Sequence, residues 1–376
     1  MAHKEPPSPL LLVRGNNRRV AILVISILSL LAMFFLTFSP HLAIRHCGHG
    51  EQQRSMATET MSFSSGNTND GGVSRRQARF TDLNDLTATS QAARNEEHVL
   101  ILTPLKNAEA YLPRYFEMVN RLQYPHHLIS LGFLVSDTTD RTVQLLQDRA
   151  DELLNRDPPD DDSSSNNTRY HSVSIFEKDF DFELPEDRRH EFEMQPLRRS
   201  FMARARNYLL SAALKDEHAW VLWLDVDVID YPASILTDLQ SIDVDVVVPN
   251  CLRQTDENES MGYDKNNWME TQQSLDMQKK LDPDYVLLEG YFEFLTGRYL
   301  MVDMPTHLGK LDKVPLDGVG ATFTLVKAKV HREGANFPPF AFQHQVETEG
   351  FAKMAKAMGF GVYGLPSYLI YHIMNS

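Results

Sequence analysis

The sequence predicts a mainly parallel, doubly wound α/β domain, and two observations carry that expectation. Apolar runs of strand length alternate with segments of helical period from about residue 97 onward, with no internal repeat. One of those runs, Ala219-Trp-Val-Leu-Trp-Leu224, ends abruptly in Asp225-Val-Asp227. Carboxylates spaced i, i+2 on a strand point the same way, and at the carboxyl edge of an open sheet that direction is the ligand crevice.

The elements follow in order. His98 to Thr103 is the first strand, and Leu112, Phe116, Val119 and Leu122 mark one face of the helix after it. Leu131 to Val135 is the next strand and ends in Ser136-Asp137-Thr-Thr. Thr138 or Asp140 then caps a helix over about Val143 to Leu154. The Pro/Asp/Ser/Asn stretch 157–168 reads as an exposed insertion. Val173 to Phe176 is a short strand, and Arg198 to Leu214 is a helix with basic residues in its first turns. After the Asp225 strand come a helix near Ala233 to Leu239 and a strand from Val244 to Val248. Phe351, Met354, Ala355 and Met358 form a helical stripe stopped by Gly359, and the last strand runs through Tyr368 to His372.

With 376 residues, a net charge of −14 and 42% hydrophobic residues, the chain can form one large domain with appendages. That acidity argues against a nucleic-acid partner, whose proteins carry a basic footprint. Two cysteines, Cys47 and Cys251, make no disulfide framework and have no zinc-ligand spacing, although Cys47 could pair between chains.

Val20 to Phe38 is an uncharged run of about 19 residues, long enough to cross a hydrocarbon core. Lys4, Arg14, Arg18 and Arg19 precede it and only Arg45 closely follows, which places the N-terminus in the cytosol. The run is longer than the core of a signal peptide and no good cleavage site follows, so an uncleaved signal anchor is expected. The expected organisation is a cytosolic tail at 1–19, a transmembrane segment at 20–38, a polar flexible stem at 39–95 and a globular domain at 96–376. The sequons at Asn166 and Asn258 are compatible with a luminal domain.

Asp-x-Asp occurs five times, so the pattern alone says little. Asp160/Asp162 lie in an acidic loop, Asp179/Asp181 flank Phe180 in a charged stretch, and Asp282/Asp284 bracket a proline. Asp243/Asp245 precede a strand, at the wrong edge for a ligand. Only Asp225/Asp227 end a buried strand, where unpaired carboxylates destabilise unless a partner or a cation meets them. Two hard oxygen ligands there suit Mg²⁺ or Mn²⁺ holding a diphosphate.

The ordered motifs resemble one family. They are His98-Val-Leu-Ile-Leu-Thr-Pro-Leu-Lys-Asn, Phe133-Leu-Val-Ser-Asp, Arg198-Arg-Ser-Phe-Met-Ala-Arg-Ala-Arg-Asn and Trp220-Val-Leu-Trp-Leu-Asp-Val-Asp. Tyr263-Asp-Lys-Asn-Asn-Trp, Leu288-Glu-Gly-Tyr, Leu316-Asp-Gly-Val-Gly, Thr324-Leu-Val-Lys-Ala-Lys-Val-His-Arg and Glu347-Thr-Glu-Gly-Phe-Ala-Lys-Met-Ala-Lys continue the series. Together they resemble the fungal Golgi mannan-polymerase mannosyltransferases, glycosyltransferase family 62, over about residues 97–376. The resemblance implies a GT-A fold, GDP-mannose as donor, Mn²⁺ as cofactor and extension of α-1,6-mannan on N-glycans. It also implies a single-pass type II Golgi membrane protein working beside other mannosyltransferase subunits. An α-linked product from this donor implies retention of configuration. The alternative is a non-catalytic scaffold subunit that binds GDP-mannose.

Roles follow from the matching positions. Asp225 and Asp227 match the family's metal-binding pair, and His372 matches the histidine that closes such a site from a C-terminal strand. Imidazole with carboxylates suits Mn²⁺ better than Mg²⁺. Pro104 and Lys106 stand where a GT-A fold receives base and ribose, and Asp137 could bond either. Of the basic residues Arg198, Arg199, Arg204 and Arg206, the expectation backs Arg198 and Arg206 for phosphate, with Asn207 beside them; one or two of the four read instead as a solvated basic face paired with Glu191 and Glu193. Asp264 sits in a polar, aromatic loop suited to gripping a sugar. Glu289 and Asp317 each precede glycine, and either could activate the acceptor hydroxyl or stabilise an oxocarbenium ion; turn chemistry is the competing account of both. Ala321, where the family often carries further glycine, could narrow the acceptor groove.

Overall fold

The computed structural model describes residues 80–155, 169–185, 188, 191–254 and 260–373. The expected cytosolic tail, the apolar segment 20–38, residues 39–79 of the expected stem, the insertion and both sequon asparagines lie outside them. Among the described residues no helix is long and apolar enough to cross a membrane.

Four apolar runs form the parallel half of the sheet. They are β1 (His98–Leu105), β2 (Ile129–Val135), β3 (Ser172–Glu177) and β4 (His218–Leu224). Their order is β4-β1-β2-β3, with Val99 opposite both Ile129 and Trp220. Between them run α1 (Leu112–Asn120), α2 (Thr142–Asn155) and α3 (Gln195–Ala213). At the start of α2 the Asp140 carboxylate accepts the Thr142 N–H at 3.0 Å, satisfying a donor the helix itself leaves open.

The second half adds β5 (Val228–Asp230), α4 (Ile235–Ser241), β6 (Val246–Gln254) and β7 (Ser260–Gly262). A small sheet of β8 (Trp268–Met269) and β9 (Tyr299–Leu300) stands apart, with α5 (Gln272–Gln278) between its strands. The chain closes with β10 (Val314–Pro315), β11 (Phe323–Lys327), α6 (Ala328–Arg332), α7 (Glu347–Ala357) and β12 (Val362–His372).

The sheet is mixed, which corrects the mainly parallel expectation. Its order is β10-β12-β6-β11-β4-β1-β2-β3, and β11 runs antiparallel to both β4 and β6. β12 is parallel to β6, and β5 and β10 are antiparallel to β12. An apolar run records a strand's burial, not its direction, and Phe323–Lys327 passes straight into α6 with no turn signal between them.

The doubly wound expectation holds. Val99, Ile101 and Leu222 face α1, α2 and α4 through Leu112, Phe116, Leu146 and Leu236. The alternate residues Leu100, Leu102, Val221 and Trp223 face α3 and α7 through Ala203, Leu209, Phe351 and Ala355. Each such buried large side chain contributes about 1.5–3 kcal/mol, so the two faces, rather than helix propensity, hold the layers together. The α7 stripe departs from expectation at its end: Met358 lies beyond the helix and is 43% exposed, and Gly359 turns the chain with φ +91°. Ahead of β1, Ala92 is buried, and Glu97 accepts from Thr89 N–H at 2.9 Å and from the Trp220 indole at 2.8 Å.

Two core imidazoles give the fold a pH dependence. Burial pushes His218 down to about 4, while its ring nitrogens meet the Lys215 N–H and Ser130 Oγ. Burial also pushes His331 down to about 4, with its Nε2 accepting from the Trp223 indole at 3.1 Å. Unfolded imidazoles titrate near 6.5, so between that pH and about 4 the unfolded chain binds protons the folded chain does not. Stability is therefore expected to fall on acidification through that window, by up to ~1.4 kcal/mol per pH unit per group. Because Asp225 and His372 shift the opposite way, urea midpoints at pH 7 and pH 5 are to be compared between the chain and His218→Gln, and a loss on acidification no smaller in the variant would contradict the imidazole contribution.

Candidate active site

The carboxyl ends of β1, β2 and β4 meet the end of β12 at one edge. Asp225 leaves β4, and its backbone N–H donates to the Thr322 carbonyl at 3.1 Å. Three residues on, β5 turns back to pair with β12, setting Val228 against His372, while Ile373 N–H donates to the Asp227 carbonyl at 3.0 Å. That pairing brings His372 Nε2 to 3.0 Å from Asp227 Oδ2. His372 is 2% exposed, stacks on Tyr263 at 3.7 Å and donates from Nδ1 to the Ile373 carbonyl at 2.8 Å. The Nδ1 bond fixes the ring so that Nε2 faces the acidic pair, as an outer-shell carbonyl does for a metal-binding histidine. Burial opposes charge on His372, but the Asp227 bond and charge outweigh it and raise its pKa.

Asp225 turns the other way, to Arg206 Nη2 at 3.3 Å. Arg206 lies in α3, 2% exposed, and its Nε donates to Glu347 Oε1 at 3.1 Å. The guanidinium lies over Trp223 and Phe337, and its buried Nη1 has no hydrogen-bond partner. Glu347 opens α7 with φ +54°, a strained backbone for a glutamate. Burial pushes the Asp225 carboxyl up to about 6, with Arg206 opposing and Asp227 adding.

Two turns earlier on the same face of α3, Arg199 pairs with Glu349 and donates to Asn266 Oδ1 at 3.1 Å. Asn266 follows Asp264, which is 4% exposed and accepts from Thr322 Oγ1 at 2.8 Å and Asn266 N–H at 3.1 Å. Burial raises its pKa. Gly320 makes room for that carboxylate, since a Cβ there would lie 1.9 Å from Asp264 Oδ2. In this inner group five carboxylates, Asp225, Asp227, Asp264, Glu347 and Glu349, face two guanidiniums and one imidazole.

Glu289 and Asp317 are brought elsewhere. Glu289 accepts from Arg298 Nη1 at 2.8 Å and Thr296 Oγ1 at 3.0 Å. Arg298 in turn stacks 3.6 Å over Trp268, whose indole donates to Glu349 at 2.8 Å. Asp317 accepts the Glu270 N–H at 2.8 Å and pairs with Lys356. Both carboxylates close turns.

The strand ends hold the remaining expected residues. Pro104 lies in β1, half-buried opposite Leu134, and Lys106 donates to the Phe182 carbonyl at 3.3 Å. Asp137, at φ +46°, accepts from the N–H groups of Phe180 and Asp181 at 3.2 and 3.1 Å. Its carboxylate therefore ties down the loop after β3. Arg198 is half-buried beside Gln195, whereas the exposed Arg204 lies 4.7 Å over Phe201. Asn207 is spent on structure: its amide donates to the Phe337 carbonyl at 2.7 Å and its oxygen accepts the Phe337 N–H at 3.1 Å.

Three residues that the sequence did not single out belong to the site: Glu347, Glu349 and Arg298. The signal for the first two was two acids one residue apart entering an apolar helical stripe. Nothing in the pattern around Arg298 marks it as buried.

Among the described residues no three His, Cys, Asp or Glu side chains converge as metal ligands. The donors that meet this edge nonetheless fit a divalent cation in kind: two carboxylates and an imidazole with its outer nitrogen already fixed.

The arrangement is that of an α/β domain with an acidic ligand edge at its strand ends, and the chain's relatives define its class. The Anp1 family matches residues 77–341, and the chain belongs to that family. It is 44% identical over 283 residues to the mannan polymerase II complex anp1 subunit of Schizosaccharomyces pombe, covering 74% of this chain and 64% of that protein. It is 41% identical over 295 residues to the mannan polymerase complex subunit mnn9 of the same yeast, covering 77% and 84%. The chain thus spans slightly less than two thirds of the first relative. The resemblance carried by the motifs stands. The solved mannosyltransferase of Pyrobaculum calidifontis in complex with GDP-Man and Mn²⁺ is 11% identical over 77% of this chain and 59% of its own, with a TM-score of 0.42, too low to assign a fold or ligand.

The two turn-closing carboxylates should respond differently to substitution. Glu289→Ala leaves the fully buried Arg298 short of a partner and is expected to destabilise by about 3 kcal/mol. Asp317→Asn keeps the Glu270 contact and loses only a half-exposed ion pair, for under ~1 kcal/mol. Denaturant midpoints of both variants check the contrast; equal losses would contradict it.

Proposed function

We propose that the chain is a catalytic α-1,6-mannosyltransferase of GT-A type that transfers mannose from GDP-mannose to mannan on N-glycans with retention. It would work in the Golgi membrane as a type II protein, anchored by residues 20–38, beside other subunits of a mannan polymerase complex. Membership of the Anp1 family and relatives named as mannan polymerase subunits support the substrate class. The observation that carries catalysis is the acidic edge itself. Asp225, Asp227 and His372 sit on two converging backbone segments, within a group whose carboxylates outnumber its cations. Such a group destabilises a fold, so a scaffold gains nothing by keeping it.

Asp225, Asp227 and His372 would hold Mn²⁺, which when bound offsets charge on the diphosphate of the donor. Arg206 Nη1, buried and unpartnered, offers a fixed donor toward a diphosphate oxygen, and Arg198 adds charge about two turns away at the start of the same helix. Asp264 is held rigidly by Thr322 and Asn266 as a hydrogen-bond acceptor for sugar hydroxyls. Lys106 and the loop tied by Asp137 border the space for base and ribose.

The test is mannose transfer by the full chain from GDP-mannose to an α-1,6-mannobiose acceptor, with Mn²⁺ or EDTA. Asp227→Asn, at a side chain 30% exposed, is expected to keep the fold and to abolish transfer, a loss of about a hundredfold or more. Metal-dependent GDP binding without transfer by the wild type would instead favour the scaffold alternative.

A further inference from the structure

Gly290-Tyr-Phe-Glu-Phe-Leu295 projects from the small β8–β9 region on a firmly closed base. Glu289 at its entry is bonded to Thr296 and Arg298 at its exit, and the Arg298 side chain is fully buried over Trp268. The legs are pinned again by Leu287 N–H to the His344 carbonyl at 2.9 Å and by Thr271 Oγ1 to the Gly297 carbonyl at 2.7 Å. Gly290, at φ +85°, lets the loop lie against Lys265, the neighbour of Asp264. The base is therefore rigid, and the tip is apolar and open: Phe292 is 95% and Leu295 75% exposed. Large apolar side chains held out on a braced loop mark a binding surface rather than a packing defect.

Its position decides the occupant. Tyr291 packs edge-on to Phe192 at 5.6 Å, just ahead of α3, so the loop begins between the start of α3, which carries Arg198 and Arg199, and Lys265 beside Asp264. Glu293 at the tip, in a chain of net charge −14, repels an anionic lipid surface. A neutral polyhydroxylated chain suits both features, because sugar C–H faces stack on aromatic rings while hydroxyls donate to carboxylate.

We infer that the 290–295 loop is an acceptor subsite, on which mannose units behind the reacting end of the acceptor stack against Phe292. This rests on the mannosyltransferase function proposed above. It also reassigns Glu289: through Arg298 and Thr296 it is a positioning residue for the loop, remote in role from bond making.

Phe292 is solvent-exposed, so Phe292→Ser should fold as the wild type does. The full chain is to be compared with this variant for KM toward α-1,6-mannobiose and α-1,6-mannotetraose, for direct binding of mannotetraose by saturation-transfer NMR, and for GDP affinity. The expected result is a rise of about three- to tenfold in KM for the tetraose, the loss of one aromatic contact, with a smaller change for the biose. GDP affinity should not move, and tetraose saturation transfer should weaken in step. Equal KM values for wild type and variant with both acceptors would overturn the subsite while leaving the transferase function intact. Tetraose binding that depends on Phe292 in a chain that transfers no mannose would support the subsite and defeat that function. A change in self-association with no change in tetraose binding would assign the surface to a second copy of the chain and overturn the proposal.

Discussion

The Arg206 guanidinium, buried between Asp225 and Glu347, is the interaction on which the rest of the site depends. It joins three elements: the middle of α3, the end of β4 and the first residue of α7. Arg199 repeats the arrangement two turns away, meeting Glu349 as Arg206 meets Glu347. α7 begins with two acids, where the helix dipole also favours them, so its N-terminus is electrostatically matched to one face of α3. Desolvating these charges offsets much of what pairing them gains, and a well-packed apolar contact would hold the helices as well. The buried charges make sense as a fixed field beside the Asp225–Asp227 edge.

From that field the site runs outward in order. Pro104, Lys106 and Asp137 lie at the ends of β1 and β2, the acidic pair and His372 at the ends of β4 and β12, and Asp264 with its Gly320 neighbour beyond them. The small β8–β9 region, to which the acceptor side is proposed to belong, is mounted on Trp268 with Arg298 stacked above it and Glu349 bonded at its indole. Glu349 thus touches both halves, through Arg199 on one side and Trp268 on the other.

Much of this was legible in the sequence because burial and period are local properties. The strand runs, the α1 stripe and the acidic ending of β4 all follow from residues within one element, and the five Asp-x-Asp copies could be ranked by their flanks alone. Asp243 and Asp245, set aside at the wrong strand edge, indeed pair there with Lys327 and Lys329. What depended on distant partners was not legible. The antiparallel direction of β11 is set by its neighbours β4 and β6. An acid before glycine reads alike whether it serves chemistry or closes a turn, and only Arg298 and Lys356 reveal the turn-closing contacts of Glu289 and Asp317. Asn207 likewise looked functional beside its arginines until Phe337 claimed both ends of its amide.

The central claim is that Asp225, Asp227 and His372 form one metal-holding edge. Electron spin-echo envelope modulation of Mn²⁺ bound to the full chain with GDP tests it most directly, because it reports nitrogen atoms bonded to the ion. The account predicts an imidazole-nitrogen modulation in the wild type that disappears in His372→Ala. Mn²⁺ bound with no nitrogen modulation, or a modulation that survives His372→Ala, would contradict it.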